Sequence, residues 1–463
     1  MSKLYHIWTI GCQMNEADTR HLGSQLEALG YRETAAADEA DLVVLNTCVV
    51  RRQAEDKAIG RLGSLQSVKA RRPDMTVGLM GCMVGIREEP RLRKEYPFVD
   101  VFMPPSDTEP LLDYLARQGA HDESVLLETR AKAIRNAIQD EEHILPALRR
   151  GKAVTANVPI VLGCSHACTF CVIPYRRGAE RSVPPDEVLN EVRALVDQGV
   201  REVMLLGQIV DRYGMDLDAS TDLAALLRRV AEIDGLERIR FLTSHPNWMT
   251  DELLDTVAEV EKVCHHIEVP VQAGNDEVLE RMRRGYTNQQ YRDLVQRIRD
   301  RIPRVAINTD IIVGFPGETE AQFMDTYQLM ADLRLDKQHI AKYSERPKTL
   351  AARRLPDDVD PDEKERRRKL LDDLQTEILT EKQMAWRGRE VEILVEERRR
   401  GRWRGRTTDN HLVFFESEDD WRGRLATVKV DWTGPYSLLG NPVSTKCSSR
   451  AVAATAKKSV IAS

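Results

Sequence analysis

The chain has 463 residues, 31% of them charged, and a formal net charge of -6. That length exceeds what one hydrophobic core fills and calls for two to four domains, while the acidic balance excludes a uniformly basic nucleic-acid binder and leaves such work to a local patch. No apolar run approaches membrane-spanning length and the start, MSKLYHIWTIGCQMNEADTR, has no secretory pattern, so a cytoplasmic protein is expected, with no membrane association and with its eight cysteines available for metal or catalysis rather than disulfides.

Over residues 3–119 apolar runs alternate with helical patterns: Leu4 to Ile10 then a helix to Leu29, Asp41 to Thr47 then a charged helix, Thr76 to Met80 then another. This predicts a parallel α/β sheet, whose ligands bind beyond the carboxyl ends of the strands. Cys12, Cys48 and Cys82 each fall just after one of these strands. Three cysteines far apart in sequence would therefore meet at one sheet edge and suit a ligand set, the plain alternative being three small core residues.

A polar stretch from about Gly119 to Arg150 reads as a linker with helical pieces. A second α/β domain, residues 150–382, follows with strand candidates Thr155 to Leu162, Arg201 to Leu206, Arg238 to Thr243, His265 to Val271, Val305 to Val313 and Lys337 to Tyr343. Six such units predict a partial (β/α)6 barrel with its chemistry at the strand carboxyl ends. Directly after the first strand, GCSHACTFCVIPYRRG places Cys164, Cys168 and Cys171 in a C-x3-C-x2-C array. A [4Fe-4S] cube accepts three thiolates from one curved loop and leaves a fourth iron open to chelate a small molecule; a closed zinc knot completed by His166 is the competing arrangement.

From Asp362 to about Arg387 a charged run carries apolar residues at helical spacing and is expected to pack on the barrel and bridge onward. Short alternating strands between Glu390 and Gly440 (VEILVE, HLVFFE, ATVKVDW) predict a small antiparallel β barrel over residues 385–447, followed by a disordered tail, 448–463. Within it Arg400, Arg402, Arg404 and Arg406 surround Trp403, a composition that suits phosphate contacts plus stacking on an unpaired base. A solvated charged hairpin is the plain alternative.

The cysteine array and its place after the first barrel strand resemble the radical S-adenosylmethionine (SAM) enzymes. That resemblance implies a SAM pocket at the barrel mouth, to which LLGQ, TSHP, PVQAGNDEVLERMRRGYT and DIIVGFPGE would contribute Gly207, Gln208, Ser244, His245, Gln272, Asp310, Gly314 and Pro316. With TIGCQMNEAD, NTCVVRRQAEDK and MGCMV ahead of them, the motifs from residue 3 to about 440 are similar to those of the methylthiotransferase family, and the C-terminal strands to its TRAM domain. GCQMN and NTC-x-VR with AEDK most resemble the bacterial branch that modifies the adenosine beside the tRNA anticodon.

This resemblance implies two [4Fe-4S] clusters, one on Cys12, Cys48 and Cys82 and one on the catalytic Cys164, Cys168 and Cys171, with SAM serving as methyl donor and radical source. It implies methylthiolation at carbon 2 of N6-(dimethylallyl)adenosine, with the tRNA anticodon loop, an electron donor such as flavodoxin or ferredoxin and a sulfur source as partners of a monomer. The two clusters would have to face one cavity. Alternatives are a methylthiotransferase for threonylcarbamoyladenosine or for a ribosomal protein aspartate, and, from another class, a non-catalytic metal-stabilised RNA-binding protein. Ile209, Asp211, Ala273 and Lys348 depart from the family pattern, and Cys264 and Cys447 match no signature.

Overall fold

The computed structural model describes residues 2–87, 89–119, 144–218 and 221–444. Residues 120–143 of the expected linker, the expected disordered tail and Cys447 lie outside these residues.

Strands β1 (Leu4–Thr9), β2 (Arg32–Glu33), β3 (Leu42–Thr47), β4 (Thr76–Gly81) and β5 (Val101–Met103) form an all-parallel sheet in the order 2-1-3-4-5. The central strands β3 and β4 are buried along their whole length. Both faces are covered, so LVVLNT and TVGLMG read as unbroken runs rather than as alternation. Helix Gln13–Ala28 packs Leu22 and Leu26 on one face, and helix Arg52–Arg71 packs Ala58, Leu62 and Leu65 on the other. The strand order reverses between β1 and β3, and at such a switch point the loops part to leave a crevice beyond the carboxyl ends. Cys12 and Cys48 follow those two strands.

The second unit contains β6 (Thr155–Pro159), β7 (Val161–Leu162), β8 (Arg181–Ser182), β9 (Glu202–Leu206), β10 (Arg238–Leu242), β11 (His266–Glu268), β12 (Ala306–Val313) and β13 (Lys337–Lys342). Two parallel triplets, β6-β9-β10 and β11-β12-β13, are joined by a bridge at Ile239–Val263 and by the Ser244 N–H donating to Glu268 O at 2.9 Å. The result is one open barrel of six strands. Val203, Leu205, Ile239, Phe241, Ile267 and Ile307 enter the core beneath the helices. Their strand neighbours Glu202, Arg240, His266, Glu268, Asp310 and His339 therefore line the inside, which is polar.

An open barrel has two unpaired edges, and both are covered. Arg20 of the first helix donates to Asn157 O on β6 at 2.9 Å, and Gln375 of the long helix Pro361–Met384 accepts the Gln338 N–H of β13. The expected first strand, Thr155 to Leu162, is interrupted after Pro159. Its last residues form β7, which turns to pair antiparallel with β8 and makes the neck of the cysteine loop.

β14 (Glu390–Arg399), β15 (Arg402–Arg406), β16 (Leu412–Phe415), β17 (Leu425–Gly434) and β18 (Ser437–Ser444) close a small barrel in the order 14-15-16-18-17. It is not wholly antiparallel as expected, because β16 and β18 run parallel. Ile393, Val395, Val413, Phe415, Val428 and Val430 fill it. It docks at the strand-start end of the open barrel, where Arg240, ion-paired to Glu202 at 3.2 Å, donates to Thr407 O at 2.6 Å and Thr408 O at 3.1 Å. Cys264 is buried among the same charges, at the end away from the other cysteines.

Candidate active site

The loop after β7 carries Cys164, buried, and Cys168 and Cys171, half-buried. A turn from Cys171 N–H to Cys168 O at 3.2 Å folds it back on itself, and the short helix Ile173–Arg177 leads away. Cys168 Sγ receives Arg284 Nη1 at 3.1 Å and lies 2.9 Å from His166 Nδ1. Arg284 is itself buried, its other donors spent on the Tyr286 hydroxyl at 3.0 Å and Pro270 O at 3.1 Å. Its charge is thus aimed at the sulfur. Burial pushes the Cys164 thiol up to about 11 and the Cys171 thiol up to about 12, so a metal that binds here displaces protons.

Burial first, then the nearby Arg284 and Arg212, pushes His166 down to about 4. Its ring is packed 4.8 Å from His245 and 5.4 Å from Trp248, centre to centre, as part of a wall. Among the described residues no three His, Cys, Asp or Glu donors converge on a single metal ion. Three thiols carried by one loop and facing the buried Arg284 fit a cube, each of whose iron corners takes one thiolate.

The other expected residues stand at successive strand ends. Gly207 and Gln208 follow β9, Ser244 and His245 follow β10, Gln272 follows β11, Asp310 lies within β12, and Gly314 and Pro316 follow it. Thr243 and Gln272 hold left-handed backbone, φ 72° and 73°. For a β-branched threonine this is a rare and strained state, of the kind that collects at binding sites. Ser244 and His245 are buried, and Ser244 Oγ and His245 Nε2 have no hydrogen-bond partner within the protein. Two orphaned polar atoms beside the cysteine loop are what a polar ligand would complete.

Asp211 was absent from the expected set. Its carboxylate accepts the His245 N–H at 3.0 and 3.2 Å, and desolvation pushes it up to about 7. Gly314 and Pro316 lie in a turn braced by Glu318, which accepts the Gly314 N–H at 2.6 Å and pairs with Arg367 at 2.9 Å. Lys348 occupies a left-handed position, φ 73°, which explains why glycine is usual there.

The second cysteine set is built by a clamp. Asn15 Nδ2 donates to Asn46 Oδ1 at 2.7 Å and Thr47 O at 3.0 Å, while Asn46 Nδ2 returns a bond to Asn15 O at 2.9 Å. GCQMN and NTC are thus two halves of one buried amide network that holds the Cys12 and Cys48 loops together. A Cβ at Gly11 would meet Asn15 Oδ1 at 2.6 Å and Cys48 Cβ at 3.0 Å, and one at Gly81 would meet Thr47 O at 2.5 Å. Only glycine lets the strand ends approach this closely. Burial raises Cys48 and pushes Cys82 up to about 11, with Cys12 close enough to add to both and Cys48 to Cys82.

Both sets lie on loops at the interface of the two units. Arg346, beyond β13, donates to Val49 O at 3.2 Å and pairs with Glu55 at 2.9 Å, and Met14 packs on Leu206 and Leu242 at the barrel mouth. Arg51, three residues past Cys48, acts electrostatically on Glu268, Asp310 and His339 of the barrel lining. Arg177, six residues past Cys171, reaches Asp18 at 3.6 Å and lies beside Cys82. At a helical rise of ~1.5 Å per residue, the stretch between that cysteine and this arginine spans only about 10 Å.

The family model described as Radical SAM superfamily matches residues 158–330, the Uncharacterized protein family UPF0004 matches 4–104, and the TRAM domain matches 385–443. A tRNA-2-methylthio-N(6)-dimethylallyladenosine synthase of Roseiflexus sp. (strain RS-1) is 46% identical over 440 residues, covering 94% of this chain and 89% of that one. Another of the same name, from Herpetosiphon aurantiacus, is 44% identical over 441 residues, covering 94% and 97%. The chain belongs to the tRNA-2-methylthio-N6-dimethylallyladenosine synthase family. A solved radical S-adenosylmethionine methyltransferase, TsrM of Kitasatospora setae, has TM-score 0.53 at 14% identity over 76% of this chain and 77% of that one. That likeness is one of fold.

In this member of the synthase family the C-terminal barrel corrects one expectation. Trp403 is 4% exposed and sits in the barrel core; strand alternation turns it inward and Arg402, Arg404 and Arg406 outward, so Trp403 cannot stack on a base. The outward arginines are ion-paired: Arg402 to Glu416 at 2.9 Å, Arg404 to Glu397 at 3.2 Å and Arg406 to Glu396 at 3.1 Å. Arg400 is exposed at the hairpin turn, φ 51°. The exposed aromatics of this barrel are Trp432 and Tyr436, 51% and 58% exposed. Their signal in the sequence is a single one, DWTGPY, where outward positions of a strand and turn carry rings.

Proposed function

We propose that the chain catalyses methylthiolation of carbon 2 of N6-(dimethylallyl)adenosine in tRNA, with SAM as methyl donor and radical source. Cys12, Cys48 and Cys82 would hold one [4Fe-4S] cluster, and Cys164, Cys168 and Cys171 the other. The observation that carries this reading is the docking of the N-terminal sheet's cysteine loops on the barrel mouth, Met14 on Leu206 and Leu242 and Arg346 on Val49 and Glu55. When bound, the barrel cluster with SAM supplies a carbon radical able to take hydrogen from an unactivated C–H bond, and the N-terminal cluster supplies the sulfur site.

The chain's own residues orient and enclose. Arg284 answers the negative charge of the barrel cluster at Cys168, and Ser244 and His245, with their orphaned atoms, would receive polar groups of SAM beside Gly207, Gln208 and Gln272. Asp211 fixes the His245 backbone. Docking of the two domains keeps water from the cavity and brings both reactants to one place, which is the protein's share of such chemistry. Burial pushes Asp310 and Glu268 up to about 6 and about 7, so each can take up or release a proton near neutral pH beside a bound purine. For RNA, Arg400, Arg402, Arg404 and Arg406 would contact phosphates, and Trp432 and Tyr436 supply the stacking surface that Trp403 does not. An electron donor such as flavodoxin or ferredoxin, a sulfur source, a monomeric state and a cytoplasmic setting complete the reading; among the described residues no helix is long and apolar enough to cross a membrane.

Expression in a bacterial strain lacking its own activity tests it. Mass spectrometry of tRNA nucleosides should show 2-methylthio-N6-(dimethylallyl)adenosine restored, and alanine at Cys164, Cys168 and Cys171 should abolish it. Restoration by the alanine variant would overturn the reading.

A further inference from the structure

Arg177 ends its short helix on the barrel side, yet its side chain belongs to the other domain. It is 3% exposed, lies 3.6 Å from Asp18 and donates to Ser106 Oγ at 3.3 Å. Its Nε and Nη2 are buried without a hydrogen bond, as is Asp18 Oδ2. A buried guanidinium with unspent donors costs several kcal/mol and persists where an anion completes it. Asp18 does so only in part, since its Oδ1 takes the Ser106 hydroxyl at 2.7 Å and its Oδ2 stays beyond hydrogen-bond distance. The thiols supply the rest of its electrostatic surroundings: Arg177 acts on Cys12, Cys48 and Cys82, with Cys82 near enough for a side-chain hydrogen bond to its sulfur.

We propose that Arg177 is a positioning residue lent by the radical domain to the N-terminal cluster, completing the site of Cys12, Cys48 and Cys82 from across the interface. A cube held by three thiolates is anionic and becomes more so on reduction, so a buried guanidinium beside Cys82 favours the reduced form and retention of the cluster. The potential of the sulfur-bearing cluster is thereby set by domain docking, and the same six-residue step that links Cys171 to Arg177 ties the two metal sites together. This inference rests on the cluster assignment made under Proposed function.

The test uses the full chain with alanine at Cys164, Cys168 and Cys171, so that only the N-terminal cluster is seen, reconstituted anaerobically. Redox titration followed by electron paramagnetic resonance and the rate of iron loss to a chelator are compared for this chain and for R177M, R177K and D18N within it. R177M should shift the midpoint potential to more negative values and lose iron several-fold faster, while R177K stays near the parent in both. Asp18→Asn should shift the potential the opposite way, because the guanidinium then acts on the cluster unopposed; where R177M fails to fold, this variant carries the test. A parental potential and iron-loss rate in R177M, or no shift in D18N, overturns the proposal. A parent that binds no four-iron cube overturns the cluster assignment itself, and this inference with it.

Discussion

Replacing Asn46 by alanine separates the two metal sites. Asn46 is fully buried; its amide accepts from Asn15 at 2.7 Å and donates to Asn15 O at 2.9 Å and Thr19 Oγ1 at 3.1 Å. At about 1 kcal/mol net for each of these three hydrogen bonds, and with one Asn15 N–H left unsatisfied at about 1–3 kcal/mol, the loss is roughly 4–6 kcal/mol. It falls on the clamp between the Cys12 and Cys48 loops, while the barrel array keeps all its contacts. The reconstituted variant should therefore hold about four irons in place of about eight, still release 5'-deoxyadenosine from SAM under reduction, and form no methylthiolated product. Iron analysis, chromatography of the cleavage product and nucleoside mass spectrometry read the three outcomes. Full iron content with parental thermal stability would refute the clamp.

Three further outcomes follow from the geometry. Asp211 is pushed up to about 7 by burial, so its protonated form is the one the fold favours: its contribution to stability is full below about pH 4 and fades as pH rises through 7. Asp211→Asn should flatten that decline in denaturation measured from pH 5 to 8, and an unchanged profile speaks against the burial argument. Trp432→Ala should weaken binding of an anticodon-loop RNA about 10- to 100-fold, as loss of one stacked base at ~1–3 kcal/mol requires, whereas Trp403→Ala should unfold the small barrel at a cost of about 3–5 kcal/mol; fluorescence anisotropy and melting separate the two, and equal effects on both readouts contradict the exposures found. Arg240→Met strands buried Glu202 and frees Thr407 O and Thr408 O, a loss of about 3–5 kcal/mol, which hydrogen exchange should register as lost protection at residues 407–411.

Much of this was legible because strands buried on both faces announce themselves. LVVLNT, TVGLMG, β9, β10, β12 and β13 lie within a residue of their expected ends, while β6 and β11 stop three residues short of theirs. Cys12, Cys48 and Cys82 were placed at one sheet edge from the rule that loops converge beyond carboxyl ends. β2 and β5 escaped notice because two and three residues carry no periodicity. β15 escaped because RWRGR looks like a solvated hairpin, and the same oversight put Trp403 outside: once those residues form a strand, alternation decides which way each points. Asn15 and Asn46 are 31 residues apart and Arg177 and Ser106 are 71 apart, and no local pattern reveals a contact at that separation.

The central claim is that two cubes share one cavity. Anomalous diffraction at the iron edge from anaerobic crystals of the reconstituted chain tests it directly. Two iron peaks should appear, one bounded by Cys12, Cys48 and Cys82 with Arg177 beside it, one by Cys164, Cys168 and Cys171 with Arg284 beside it, and both should open onto the space between Arg51 and Glu268. A single peak, or two peaks opening onto separate surfaces, would contradict it.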